Sequence, residues 1–116
     1  QRTRDIVMQG QAISDGELET LRQNVYLLRA ELEAALDEAG VDAFITPAAP
    51  GAAPEGIGAT GDPIMNLPWT HAGMPAITLP AGTAANGLPL GMQMVARFGD
   101  DEELLEWAMG LEGLLK

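Results

Sequence analysis

The residues able to do chemistry are few, and most stand in one stretch. His71 is the only histidine, with Thr70 beside it and Asp62 upstream. A histidine with a carboxylate and a hydroxyl at hand can act as a general base. No cysteine or serine nucleophile accompanies it. Asn66, Thr70 and Gln93 carry groups that either satisfy one another inside a core or contact a ligand. Trp69, between Pro68 and Thr70, is an amphipathic ring that either anchors a core or walls a pocket. Asp62 lies in Gly61-Asp62-Pro63, a turn signature that also suits the rim of a pocket. Elsewhere, Ser14 is the only serine and Lys116 the only lysine. A mechanism that needs two serines, or a serine and a buried lysine, cannot be run from this chain alone.

The composition removes several classes of function. The chain has 116 residues and no cysteine, so it has no disulfide framework, thiolate metal site or cysteine nucleophile. Lys and Arg total 6 against 17 Asp and Glu, a formal net charge of −11. Such an excess disfavours nucleic acid and anionic membranes, which attract cationic surfaces. An apolar share of 47% is enough to form a core. No apolar run approaches the length of a membrane span. The chain shows no basic-then-apolar leader, so a cytoplasmic location is expected. It opens on Gln1, and residues upstream are expected.

Several elements that must position these residues can be read directly. Residues 1–13 show no clean period and read as a connector. Ser14-Asp15-Gly16-Glu17 matches a capping box. Leu18, Leu21, Val25, Leu28, Leu32, Leu36 and Ala39 follow at steps of three and four, one helical stripe. Gly40 suits the residue after the C-cap, so a helix over 15–39 is predicted, its stripe facing a core. Residues 42–47 read as a short strand ended by Pro47. From Ala48 to Pro63 proline and glycine dominate and no regular element fits, so this is a long loop laid over a protein surface. Residues 76–80 and 90–96 read as two strands joined by a loose hairpin. Asp100 with Glu103 opens a last helix over 101–114. The predicted class is α/β, with two amphipathic helices and about three short strands in a thin layer that forms part of a larger sheet.

One string carries a family resemblance. Gly61-Asp62-Pro63-Ile64-Met65-Asn66-Leu67-Pro68-Trp69-Thr70-His71-Ala72-Gly73-Met74-Pro75-Ala76-Ile77-Thr78-Leu79-Pro80-Ala81-Gly82, followed by Gly87-Leu88-Pro89-Leu90-Gly91-Met92-Gln93-Met94-Val95, resembles the C-terminal part of amidase signature enzymes. Asp42-Ala43-Phe44-Ile45-Thr46-Pro47-Ala48-Ala49-Pro50 resembles the strand-and-proline segment of the same family, and the helix opened by Gly99-Asp100-Asp101-Glu102-Glu103 also fits. The resemblance runs over about residues 14–115, in the family's order.

The resemblance implies the C-terminal portion of the amidase signature fold, a mixed sheet flanked by helices. The whole chain, 1–116, would then be a partial amidase domain with no second domain. It implies hydrolysis of carboxamides to acid plus ammonia or amine, by acyl transfer through a serine, a second serine in a cis peptide and a lysine. Those residues lie upstream in the family, so no residue here is assigned a catalytic role and the chain alone should be inactive. No cofactor and no metal are implied. Trp69, Asp62, Asn66 and Pro68 are the implied substrate-binding residues. Two departures stand out: Thr70 occupies a position that is often asparagine, and Asp62 is one step out of the place where some amidotransferase members bind glutamine. The expected partners are the missing N-terminal part of the domain and a small carboxamide, with a homodimer as a further one. The alternatives are a fragment of a glutamine amidotransferase of the A-subunit type, or a non-catalytic interaction module that binds through the 18–36 stripe.

Overall fold

The computed structural model describes residues 2–115; Gln1 and Lys116, the sole lysine, lie outside the described residues, as does the side chain of Arg2. Four helices and three strands follow in the order α1 (Arg2–Gly10), α2 (Asp15–Ala39), β1 (Ala43–Pro47), α3 (Leu67–Ala72), β2 (Ala76–Thr83), β3 (Pro89–Ala96) and α4 (Asp101–Glu112). The predicted α/β class holds.

Helix α2 forms as its sequence dictates. The Ser14 hydroxyl accepts from the Glu17 amide at 3.3 Å, and the Glu17 carboxylate accepts from the Ser14 amide at 2.9 Å. The helix ends at Gly40, whose φ of 64° is a left-handed conformation that other residues resist. The expectation that the whole stripe packs inward needs correction. Leu36 is fully buried, and Leu28 and Leu32 pack against the same core. Leu18 and Leu21 stay 40% and 45% exposed and belong to neither core cluster.

Three further readings are corrected. Residues 2–10 of the expected connector are helix α1. Its Ile6, Val7 and Met8 are consecutive and all exposed, so it lacks the periodic stripe that reveals a packed helix. Residues 67–72 form the short helix α3, preceded by a 3-10 turn over Pro63–Met65, where no helix is predicted. Pro68 sits in the first turn of α3, where its missing N–H costs nothing. Asp100 precedes α4 but makes no side-chain cap bond, so the expected pairing with Glu103 does not form.

The sheet is antiparallel, with β3 in the centre between β1 and β2. β2 runs three residues beyond its predicted end, through a register irregularity between Pro80 and Thr83. Side chains alternate across β3. Val95 points into a cluster with Leu36, Trp69, Ala72 and Met74, under α2 and α3. Met94 and Ala96 point the other way, into Leu79, Leu104 and Ala108 under α4. Helices therefore cover both faces of β3. The assembly measures 50 × 41 × 21 Å, with a radius of gyration of 17.1 Å.

Two arginines fasten α2 to the rest. Arg29 donates from Nε to the Ala72 carbonyl at 2.7 Å, a cation at the C-terminal end of α3, and its guanidinium lies 3.6 Å from the centroid of the Phe98 ring. Arg97 pairs with Asp37 at 2.8 Å and donates to the Glu33 carbonyl at 3.3 Å. Gly73 is required beside Arg29: its φ is 70°, and a Cβ there would stand 3.0 Å from the Arg29 Nη2.

Truncating Leu36 to alanine should cost about 3 kcal/mol in denaturant unfolding, whereas Leu21→Ala should stay within about 0.5 kcal/mol. Equal effects would refute the division of the stripe. The pH dependence of the α2 cap has a definite sign. Hydrogen bonds from the Ser14 side chain and backbone hold the Glu17 carboxyl below its ordinary value of 4.5. A depressed carboxyl stabilises the fold above its unfolded pKa and loses that contribution as pH falls through the folded one. Helical Cα chemical shifts of residues 15–18 should therefore decline below about pH 4.5. Ser14→Ala should move the Glu17 titration upward.

Candidate functional site

The residues singled out by type divide between a buried polar relay and an open hollow. On the α2–α3 face of β3, Gln93 lies two residues before Val95 and is 4% exposed. A buried primary amide must find partners for its donors and its acceptor. Gln93 Nε2 donates to Asn66 Oδ1 at 2.6 Å, and the Thr46 hydroxyl donates to Gln93 Oε1 at 3.3 Å. Asn66 Nδ2 in turn donates to the Ala48 carbonyl at 3.4 Å. The relay joins β1, β3, the start of the long loop and the entry to α3. Thr46 and Gln93 are direct partners in the strand register, which accounts for their meeting. Asn66 is brought to them by the 3-10 turn, whose last bond is Asn66 N to the Pro63 carbonyl.

Trp69 occupies the next layer. Its ring stacks on Phe44 with centroids 5.3 Å apart and an interplanar angle of 27°. It packs in the core cluster, and its buried indole Nε1 has no hydrogen-bond partner among the described residues. Pro68 is half-buried in the first turn of α3.

The loop after β1 borders an open hollow of about 890 Å³. Thr46, Ala48, Asp62 and Gly91 are among its lining residues. Gly91 lets the loop come down onto the sheet. The Ala48 amide donates to the Gly91 carbonyl at 3.0 Å, and a Cβ on Gly91 would stand 3.1 Å from the Ala48 Cβ and in collision with the Thr78 methyl. Asp62 is exposed, and its carboxylate accepts from the Ile64 amide at 3.0 Å, an Asx turn that starts the 3-10 segment.

Of the four implied substrate-binding residues, then, Asp62 lines the hollow, Asn66 belongs to the relay, Trp69 packs in the core cluster and Pro68 is half-buried on α3. Thr70 and His71 are exposed on α3, His71 in its last turn. No hydrogen bond joins His71 to Asp62 or Thr70 among the described residues. Ser14 is committed to the cap of α2, its hydroxyl 2.7 Å from the Glu17 carboxylate. Among the described residues no three His, Asp or Glu groups stand together as a metal-holding set, and no helix is long and apolar enough to cross a membrane. Residue types alone missed Thr46. Its signal lay in the register: a threonine on the strand that pairs with Gln93.

Comparisons with known proteins fit this arrangement. A family model described as Amidase matches residues 1–105. The A-subunit of a glutamyl-tRNA(Gln) amidotransferase from Methylorubrum extorquens is 45% identical over 95 residues, covering 74% of this chain and 19% of that protein. The protein of the same name from Nitrobacter hamburgensis is 49% identical over 76 residues, 58% of this chain and 15% of that protein. Among solved structures, a crystal structure of an amidase superposes with a TM-score of 0.85 at 28% identity, covering 99% of this chain and 29% of its own. A 6-aminohexanoate cyclic dimer hydrolase superposes with a TM-score of 0.72 at 26% identity, over 96% of this chain and 27% of its own. The chain thus spans less than a third of each of these proteins.

Replacing Gln93 with leucine leaves Asn66 Oδ1 and the Thr46 hydroxyl without their partner. The loss should be about 1–3 kcal/mol in denaturant unfolding. An unchanged midpoint would show that the relay does not hold the loop to the sheet.

Proposed function

The chain belongs to the amidase family, and from that premise we propose that it forms the C-terminal part of an amide hydrolase that cleaves carboxamides to an acid and ammonia or an amine. The observation that carries this reading is the superposition on an amidase over 99% of this chain, which accounts for 29% of that enzyme. The proposed parent is a serine hydrolase of the cytoplasm. In the reaction, a serine oxygen outside this chain attacks the amide carbon. A lysine, also outside it, relays the serine proton through a second serine to the departing nitrogen. Water then hydrolyses the acyl-enzyme. The chain's sole serine, held in a helix cap, fits no role in that sequence.

The contribution of this chain would be the wall of the substrate pocket and the layer that supports it. Asp62 would meet the substrate at the rim of the hollow. Asn66 would hold the loop, and Trp69 and Pro68 would set the position of α3. The partners are the rest of the amidase domain and a small carboxamide, and a second copy of the same protein is a further proposed partner. A second reading draws on the curated relatives, which are named as the A-subunit of glutamyl-tRNA(Gln) amidotransferase. There the parent would release ammonia from glutamine for transfer to a glutamyl-tRNA.

Ammonia release from a panel of simple carboxamides and glutamine tests both readings. The 116-residue chain should be inactive beside the longer protein that contains it, and Ser14→Ala in the longer protein should leave turnover unchanged. Turnover by the short chain alone would overturn the placement of the chemistry. Ammonia from glutamine alone, dependent on partner proteins and glutamyl-tRNA, would select the second reading.

A further inference from the structure

The chain holds three asparagines, and only Asn86 precedes a glycine. Asn24 stands before Val25 within α2, and Asn66 stands before Leu67 and is tied to Gln93. The side chains of Val25 and Leu67 crowd their own backbone nitrogens. Gly87 has no side chain, so its nitrogen is free to approach the amide carbon of Asn86. Both residues are exposed at the tip of the hairpin between β2 and β3. Nothing lies within 4 Å of where a Cβ on Gly87 would stand, so water reaches the pair.

The tip is a three-residue loop. The Ala84 amide donates to the Leu88 carbonyl at 2.8 Å, and Gly87, at a φ of 83°, supplies the left-handed residue that closes such a loop. Two further bonds occupy the groups that would react. The Gly87 amide donates to the Ala84 carbonyl at 2.9 Å, which holds the proton of the attacking nitrogen. Asn86 Oδ1 accepts from the Leu88 amide at 3.2 Å, which pins the side chain in an Asx turn. Closed, the turn keeps nucleophile and electrophile each in another bond. Open, it leaves an Asn-Gly pair free in water.

We propose that Asn86-Gly87 is a self-modification site that converts asparagine to isoaspartate, and that the closed hairpin turn holds the reaction back. The Gly87 nitrogen loses its proton to solvent base and bonds to Asn86 Cγ. The Cγ–Nδ2 bond breaks, and that nitrogen takes a proton and leaves as ammonia. Water then opens the cyclic imide. Cleavage at Cγ gives aspartate. Cleavage at the Asn86 main-chain carbonyl gives isoaspartate, with the backbone routed through the former side chain. Overall, water is consumed and ammonia released, with no oxidation or reduction. Isoaspartate lengthens the backbone inside the loop by a carbon and adds a negative charge, so the bond between Ala84 and Leu88 no longer closes. Thr83 and Pro89 are the adjacent pair in register, and Pro89, Leu90 and Gly91 line the hollow. The modified tip therefore loosens the strand end that borders the hollow.

The test follows Asn86 by peptide mapping and mass spectrometry during incubation at neutral and mildly alkaline pH. The samples are the 116-residue chain and the longer protein that contains it, each native and in guanidinium chloride, beside a peptide of residues 82–90. Asn86 should convert in the peptide and in denaturant, faster at the higher pH, while Asn24 and Asn66 stay intact. The native protein should convert about tenfold more slowly, as two turn hydrogen bonds guarding the pair require. Isoaspartate should be the main product, and the Ala84 amide of the modified protein should exchange faster with solvent. Asn86→Asp carries the charge without the added carbon and should leave that amide protected. An Asn86 that is stable in denaturant, or that converts no faster than Asn24 and Asn66, would overturn the site. Equal or faster conversion in the native longer protein would overturn the protection by the turn, whether or not the short chain folds alone.

Discussion

A primary amide buried in the middle of a sheet has to place its donors and its acceptor, and the arrangement around Gln93 follows from that requirement. At 4% exposed the side chain has almost no water to turn to. Its partners come from three places in the chain: the adjacent strand, the entry to α3 and, through Asn66, the carbonyl at the start of the long loop. Leucine at that position would keep this face of β3 apolar and release Asn66 and Thr46 from it, leaving the loop held to the sheet by Ala48 against Gly91. The polar residue instead makes the loop's position a condition of burying β3. The hollow exists because the loop is fastened at both ends, by Ala48 against Gly91 and by Asp62 and Asn66 at the 3-10 turn.

β3 carries two cores at once. Its alternation sends Val95 toward α2 and α3 and Met94 and Ala96 toward α4, so neither helical layer forms without it. The arginines work on a different link. Arg29 and Arg97 both bridge between α2 and segments more than forty residues away in sequence, and both reach backbone carbonyls as well as a ring or a carboxylate. A chain with net charge −11 thus uses two of its few cations to hold its longest helix against the sheet.

The parts that were legible in the sequence are those specified locally. The capping box at Ser14, the three-four spacing from Leu18 and the glycine at position 40 define α2 without reference to anything else. Pro75 precedes the first residue of β2 and Pro47 is the last of β1, whereas Pro80 does not end β2, which runs on to Thr83. Family membership was legible from the order of whole motifs rather than from any single residue. What was hidden depends on distant contacts. Asn66 and Gln93 are separated by 27 positions, and neither residue announces the other. Helix α3 is too short for periodicity to show, although Pro68 at its start and Gly73 at its end are ordinary helix boundary residues. Helix α1 carries its large apolar residues in one consecutive run, which has no helical period to detect. The half-exposed stripe of α2 was hidden for a different reason: spacing reports that a face is apolar, while only the tertiary structure reports how far the sheet extends beneath it.

The dimensions of the assembly have a consequence for how the molecule moves. A compact chain of this length would have a radius of gyration of about 13 Å, against 17.1 Å here. With extents of 50 × 41 × 21 Å, the body is a plate. In solution such a particle tumbles anisotropically, slowest about the axes that sweep its long dimensions through the solvent. It also diffuses as a sphere of greater mass would. Nuclear relaxation rates along α2 would differ from those of strands lying across it, so the direction of each bond within the plate would be written into its spectrum.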